Sequence, residues 1–281
     1  MGVISWTRIG PDPLTTALGS QTNTDWAMAF VDYKCNQTWT TRVGQAPDWF
    51  GLETAQGSSK RMSLERAAVL EGGPTLATPM GLYFAGPWDE GVWLIRNPQK
   101  AGEPQAILGY FSGNFRARDT DTSKDVSLDL KWKKPWGEYG LSWLDGKFAT
   151  AGALVPLNDR NAKLAYVRWD PQSSAFALQA EYVDGKLFGN SINGAYAQLE
   201  YKMTPQGTAF VKAEEYDPND ANASDSYRAL HVGYQHRLDA NNALTLQYTV
   251  GYNQAGQVAA PPLRPGPGRD DQLGLQWQLG F

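Results

Sequence analysis

Near the end of the chain, large apolar residues stand at Leu273, Leu275, Trp277, Leu279 and Phe281, with Gln272, Gly274, Gln276, Gln278 and Gly280 between them. A β-strand turns successive side chains to opposite faces, so this stretch predicts a strand with one greasy and one polar face. The same period of two recurs upstream. Leu244, Leu246, Tyr248, Val250 and Tyr252 alternate with Thr245, Gln247, Thr249 and Gly251, and Leu230, Val232 and Tyr234 with His231, Gly233 and Gln235. Ala195, Ala197, Leu199, Tyr201 and Met203 alternate with Tyr196, Gln198, Glu200 and Lys202. Phe176, Leu178, Ala180 and Tyr182 form a further file, as do Val126, Leu128, Leu130 and Trp132, and Tyr139, Leu141 and Trp143. In the first third the signal is weaker. It predicts strands over 26–34, 36–45 and 105–118, and a pair over 79–86 and 90–97 around the turn signal Gly86-Pro87-Trp88-Asp89.

Such alternation fits a soluble β-sandwich or a barrel in a membrane. Two features favour the barrel. Aromatic residues gather near predicted strand ends (Trp132, Trp143, Trp169, Tyr182, Tyr201, Tyr252, Trp277 and Phe281), where amphipathic rings meet lipid headgroups. Connections also alternate in length: Thr204–Gly207 and Asp239–Asn242 are short, whereas Tyr216–Ser226 and Asn253–Arg269 are long and polar. Short turns at one end and long loops at the other characterise outer-membrane barrels. The fold expected is therefore all-β, a single transmembrane antiparallel β-barrel over residues 1–281 with about 14–16 strands, porin-like, at the spacing usual for such barrels. At that size side chains do not fill the interior, and a wet lumen follows. A smaller, plugged barrel is the other architecture.

Composition narrows this further. Charged residues make up 19% of the chain and mean hydropathy is −0.46. No run approaches the ~18 apolar residues of a spanning helix, which leaves a barrel untouched. Net charge is −4, without a basic stripe, so nucleic acid is not an expected partner. One cysteine, Cys35, permits no internal disulfide, and two histidines, His231 and His236, leave little for a zinc site. No metal or cofactor is expected. The start of the chain, Met1–Arg8, lacks a charged segment followed by an apolar one. Either a leader or an amino-terminal part of a longer chain is expected to be missing.

Residues 46–78 break the alternation and are too long for an ordinary connection. Leu64, Ala67, Ala68 and Val69 hint at a short helix. A polar loop beside a wide barrel is expected to fold inward as a constriction. Just before and within it, Arg42-Val43-Gly44-Gln45, Phe50-Gly51-Leu52-Glu53, Ser58-Ser59 and Leu64-Glu65-Arg66 resemble the signature of the phosphate-selective porin O and P family. Downstream, Gly194–Tyr201 and Lys212-Ala213-Glu214-Glu215-Tyr216-Asp217-Pro218-Asn219 agree with it. The chain departs from that pattern at Pro47, which is displaced from its place before Phe50, and by lacking a dense basic series in the lumen. The resemblance implies a bacterial outer-membrane location, a homotrimer, outer-membrane lipid around it, and passive passage of small hydrophilic solutes or anions, phosphate-like ones among them.

Selectivity needs charge projecting into the lumen near a constriction. In the loop the candidates are Lys60, Arg61, Glu65 and Arg66. On strands, parity points Asp129, Lys131, Arg168, Lys202 and Lys212 inward, together with Glu181, Glu200 and Glu214. A Lys or Arg facing lipid at mid-depth costs about 2–4 kcal/mol, which is why these must face inward. Their bland role is to keep the lumen wet and to pair with one another. Two other functions compete with a pore. An enzymatic barrel needs a nucleophile held by a base; His231 points to the lumen, His236 outward, and neither has an evident nucleophile, so no catalytic residue is expected. A non-conducting binding barrel or adhesin would use the long loops at 216–226 and 253–269.

Overall fold

The computed structural model describes residues 2–8, 26–56, 61–64, 66–71, 89–113, 123–148, 158–187, 189–222, 226–239, 242–253 and 268–279. Fourteen strands form one antiparallel sheet in strict sequence order: β1 (Gly2–Arg8), β2 (Trp26–Lys34), β3 (Trp39–Ala46), β4 (Asp89–Arg96), β5 (Gln105–Phe111), β6 (Asp125–Lys134), β7 (Gly137–Phe148), β8 (Asn158–Trp169), β9 (Phe176–Leu187), β10 (Asn190–Lys202), β11 (Gly207–Asp217), β12 (Tyr227–Arg237), β13 (Asn242–Asn253) and β14 (Gly268–Leu279). Two four-residue helices, α1 (Leu52–Ala55) and α2 (Ala68–Glu71), interrupt the connection between β3 and β4.

The two faces follow the alternation. On β13 Leu244, Leu246, Tyr248 and Tyr252 are exposed while Ala243, Thr245, Gln247 and Thr249 are buried. On β14 Leu273, Leu275 and Trp277 are 74%, 68% and 64% exposed. In water such a surface would be a large apolar patch, far beyond what a soluble monomer shows. Facing lipid it is the solvated side. The buried polar residues of the opposite face, Gln198, Lys212, His231, Gln247 and Gln278 among them, line the interior.

Connection length also sorts by end. The turns over 35–38, 97–104, 135–136, 170–175 and 203–206 join strands at one end, whereas at the other end most consecutive strands are separated by longer stretches of sequence, as between Arg8 and Trp26, Ala46 and Asp89, Phe111 and Asp125, and Asn253 and Gly268. At that end β9 and β10 are separated by only two residues in the sequence. Aromatic stacks mark the short-turn end: Trp132 and Trp136 on Tyr139, with ring centroids 5.4 and 6.0 Å apart, and Phe176 on Tyr201 at 4.9 Å.

Three expectations need correction. The segment 90–97 does not pair with 79–86: β4 is hydrogen-bonded on one side to β3 and on the other to β5, so both its edges are taken. Residues 79–86 lie outside the described residues. Trp143 and Tyr182 are mid-strand, because β7 and β9 continue outward-facing through Asp145 and Lys147, and through Asp184 and Lys186, past the apolar band. The rings still sit where the apolar file gives way to charge. Finally, the inner face is not polar throughout. Towards the long-loop end Leu144, Leu164, Val183 and Ile192 point inward and are buried. What covers them is the segment after β3.

Candidate functional site

Residues 47–56, 61–64 and 66–71 run against the inner wall instead of away from it. Phe50, Leu52 and Ala67 to Leu70 are buried in one cluster with the inward apolar residues of β7 to β10, and α2 packs on β10 and β11. The segment is too short in regular structure to satisfy its own backbone, so the wall supplies the acceptors. Glu181 on β9 accepts from Leu52 N at 2.9 Å and Glu53 N at 2.6 Å, and from Tyr196 Oη at 2.5 Å. Ser142 Oγ accepts from Gly51 N at 2.9 Å and donates to Asp129 at 2.6 Å. Glu214 on β11 accepts from Ala68 N at 3.0 Å and meets His231 Nε2 at 3.1 Å. Gln247 accepts from Leu64 N at 2.9 Å.

One contact is a fully buried ion pair. Lys212 Nζ lies 2.7 Å from Glu53 Oε1 and 4.6 Å from the centre of the Tyr196 ring. The other oxygen of Glu53 accepts from Ala67 N at 2.7 Å, so this carboxylate ties α1 to α2 and both to β11. Two glycines allow the close fit. Gly51 has φ +84°, and a Cβ there would strike Glu181 and Leu164; at Gly194 a Cβ would meet Val69 at 2.7 Å.

At the root of the segment, Asp48 is buried beside Asp89, Asp125 and Arg160. Arg160 forms an ion pair with Asp125, and Ser112 a hydrogen bond with Asp89. Burial first, then repulsion by Asp89 and Asp125, pushes the Asp48 carboxyl well above its ordinary range, against the pull of Arg160. A carboxyl raised in the folded state stabilises it below its unfolded pKa and loses that contribution as pH rises through the folded value. Open-channel noise is therefore expected to grow as pH is raised, and Asp48→Asn to remove that dependence. Unchanged pH-dependent noise in that variant would exclude Asp48 as its source.

The sequence-derived candidates fall into separate groups. Asp129, Glu181, Lys212 and Glu214 anchor the inserted segment. Arg66 is half-buried within it, with Nε 3.4 Å from Glu53 O, and Arg61 is buried against β12 and β14, its carbonyl 3.5 Å from the amides of Gln235 and Gln278. Lys60 and Glu65 lie outside the described residues. Lys131 is half-buried on the inner face of β6. Arg168, Glu200 and Lys202 line a different place, a basin of about 510 Å³ at the short-turn end, closed on one side by Met62 of the inserted segment. There Lys202 Nζ lies 2.6 Å and Arg168 Nη2 3.3 Å from Asp170, and Arg168 Nη2 is 3.8 Å from Glu200. Partial burial alone would raise the Asp170 carboxyl, but these two cations outweigh it and hold the group below its usual range. Asp170 and Arg237, both lining the basin, are not among the sequence-derived candidates. Arg237 continues the inward parity of His231 and Gln235, and that was its available signal.

The signature residues of the inserted segment fall within a stretch that resembles a known family. The family model described as phosphate-selective porin O and P matches residues 11–94, which span β2, β3, the inserted segment and most of β4. Over that stretch the chain resembles this family. Solved structures with a similar fold point the same way. The chain is similar to the anion-selective porin from Comamonas acidovorans (15% identity over 92% of this chain and 79% of that one, TM-score 0.65). It is similar also to OmpF of Salmonella typhi in complex with daunomycin (14% identity, 100% and 85%, TM-score 0.67) and to OmpT of Vibrio cholerae (10% identity, 92% and 82%, TM-score 0.60). At these identities the likeness is one of fold. No curated protein matches the sequence. The fold is that of outer-membrane porin barrels.

Proposed function

We propose that this protein is a non-enzymatic, homotrimeric channel that passes small hydrophilic solutes with a preference for anions, and that residues 47–71 form its constriction. One observation carries the reading. The segment is fastened to the inner wall by buried carboxylates and the Lys212–Glu53 pair, and the basin beside it exposes three basic side chains, Arg168, Lys202 and Arg237, against two carboxylates, Asp170 and Glu200. Charge of one sign at a narrow, low-dielectric passage raises the local concentration of the opposite ion. The Comamonas porin's description as anion-selective supports the same direction. Passage needs no chemistry: the pore supplies width and weak contact at several points.

Single-channel recording in planar bilayers under a potassium chloride gradient tests this. Steady conductance is expected, with a reversal potential on the chloride side and closure in three equal steps. A silent folded barrel, or a reversal potential on the potassium side, would overturn the reading.

A further inference from the structure

Leu64 of the inserted segment is seated on β13 and β14. Gln247 Oε1 accepts from Leu64 N at 2.9 Å, and the Leu64 side chain lies on Gly274, where a Cβ would strike it. Only the carbonyl end of a glutamine can accept from an N–H, so the NH2 end of Gln247 faces the imidazole of His231. Gln247 Nε2 is 3.2 Å from His231 Nδ1, and Thr249 Oγ1 lies 3.0 Å from both nitrogens. An NH2 group donates, so Nδ1 accepts. The proton of His231 is therefore on Nε2, which donates to Glu214 Oε1 at 3.1 Å. The other oxygen of Glu214 accepts from Ala68 N at 3.0 Å. One buried imidazole thus stands between the two wall side chains that hold the segment at Leu64 and at Ala68.

We propose that His231 is a proton switch for the inserted segment: taking up a proton, it releases Leu64 and leaves Ala68 in place. This inference rests on the reading of that segment as the constriction. A second proton can go only to Nδ1, which then becomes a donor facing the NH2 of Gln247. Thr249 can turn its hydroxyl to accept from Nδ1, but the amide hydrogens of Gln247 now meet a cation. Rotating that amide brings its carbonyl to the imidazolium and withdraws it from Leu64 N. Nε2 still donates to Glu214, so the hold on Ala68 survives, with charge on both partners of that hydrogen bond. The charges around His231 are paired. Lys212 and Glu214 face it from β11, and Lys212 is paired with Glu53 of α1. Arg66 of the inserted segment reaches the Glu53 carbonyl, and β13 presents the neutral Thr249 and Gln247.

The test reads the switch both with and without conduction. In bilayers taken from about pH 8 to about pH 5, where an imidazole ordinarily changes charge, open-channel noise is expected to grow as pH falls. His231→Gln, whose amide keeps a donor and an acceptor but takes no proton, should lose that acid limb. Asp48→Asn should retain it, and His236→Gln, which alters the outward-facing histidine, should behave as wild type. Gln247→Met, without a carbonyl for Leu64, should be noisy across the whole range. In detergent at acid pH, hydrogen exchange at Leu64 N should be about tenfold faster in the wild type than in His231→Gln, the scale of one lost hydrogen bond. Exchange at Ala68 N should be equal in the two. Equal noise and equal Leu64 exchange in wild type and His231→Gln would overturn the switch while leaving the channel standing. Acid-dependent Leu64 exchange that is lost in His231→Gln, in a barrel that does not conduct, would uphold the switch and remove the channel. Should His231→Gln not fold, ¹⁵N spectra of histidine-labelled wild type decide: an imidazole that stays neutral at about pH 5 would overturn the proposal.

Discussion

Lys212→Met is expected to loosen the inserted segment and to change the channel more than any substitution of an exposed charge. The ammonium of Lys212 is fully buried, 2.7 Å from Glu53, and Ser63 Oγ lies 3.4 Å away. Removing one partner of a buried pair strands the other charge, at a cost of about 3–5 kcal/mol. The fourteen-strand ladder does not depend on this contact, so the loss falls on residues 47–71. Their hold on the wall through Leu52 N and Glu53 N on Glu181, and through Ala68 N on Glu214, is shared with the same network. Single-channel conductance should rise, open-channel noise should grow, and the midpoint of denaturant unfolding should fall. The double variant Glu53→Gln/Lys212→Met removes both charges and should recover much of the lost stability, because a neutral pair of similar shape leaves nothing stranded. Wild-type conductance and stability in Lys212→Met would show that the pair holds nothing in place.

That anchoring was only half visible in the sequence. Period-two files located β6, β7, β9, β10, β12, β13 and β14, though not β8 or β11 and not their full lengths, and parity placed Asp129, Glu181, Lys212 and Glu214 on the inner face, where they are buried. Parity states which face a side chain takes, and it is silent on what meets it there. The donors that the inserted segment brings to Glu181 and Glu214 are backbone N–H groups of Leu52, Glu53 and Ala68. Backbone donors are the same at every residue, so no pattern of side chains announces them. The glycine of Phe50-Gly51-Leu52-Glu53 was a partial sign, since only a residue without Cβ fits against Glu181 and Leu164. The weak alternation before residue 120 has a physical cause as well. Trp93, Ile95, Ile107 and Phe111 face inward and are buried, while Val92, Leu94, Leu108 and Tyr110 face outward. Strands apolar on both sides lose the period that identifies them. Arg237 escaped because it ends its strand next to a turn, where parity is easily disregarded. The separation of Arg168 and Lys202 from the inserted segment lay beyond any one-dimensional reading, because Asp170 gathers them from β8 and β10 through space.

Leu246→Arg separates a lipid-facing wall from a water-facing one. Leu246 lies within the outward file of β13, in register with Tyr234 on β12 and Leu275 on β14, and is half exposed. On a soluble sandwich an exposed leucine replaced by arginine would change stability by no more than about 0.5 kcal/mol. In a bilayer the guanidinium at this depth should cost about 2–4 kcal/mol, measured as a shift in the folding equilibrium into lipid vesicles against denaturant. The expected cost falls along the same strand. Tyr252, six residues nearer the long-loop end, is in register with the native Arg228, whose guanidinium pairs with Glu215 at 2.7 Å. At that level headgroups and water solvate the charge, and Tyr252→Arg should cost about 0–1 kcal/mol on the same depth scale. A steep gradient between the two positions would measure the edge of the apolar band directly. Equal and negligible costs at both would mean that lipid does not cover β12 to β14, and that a partner chain or another surface does.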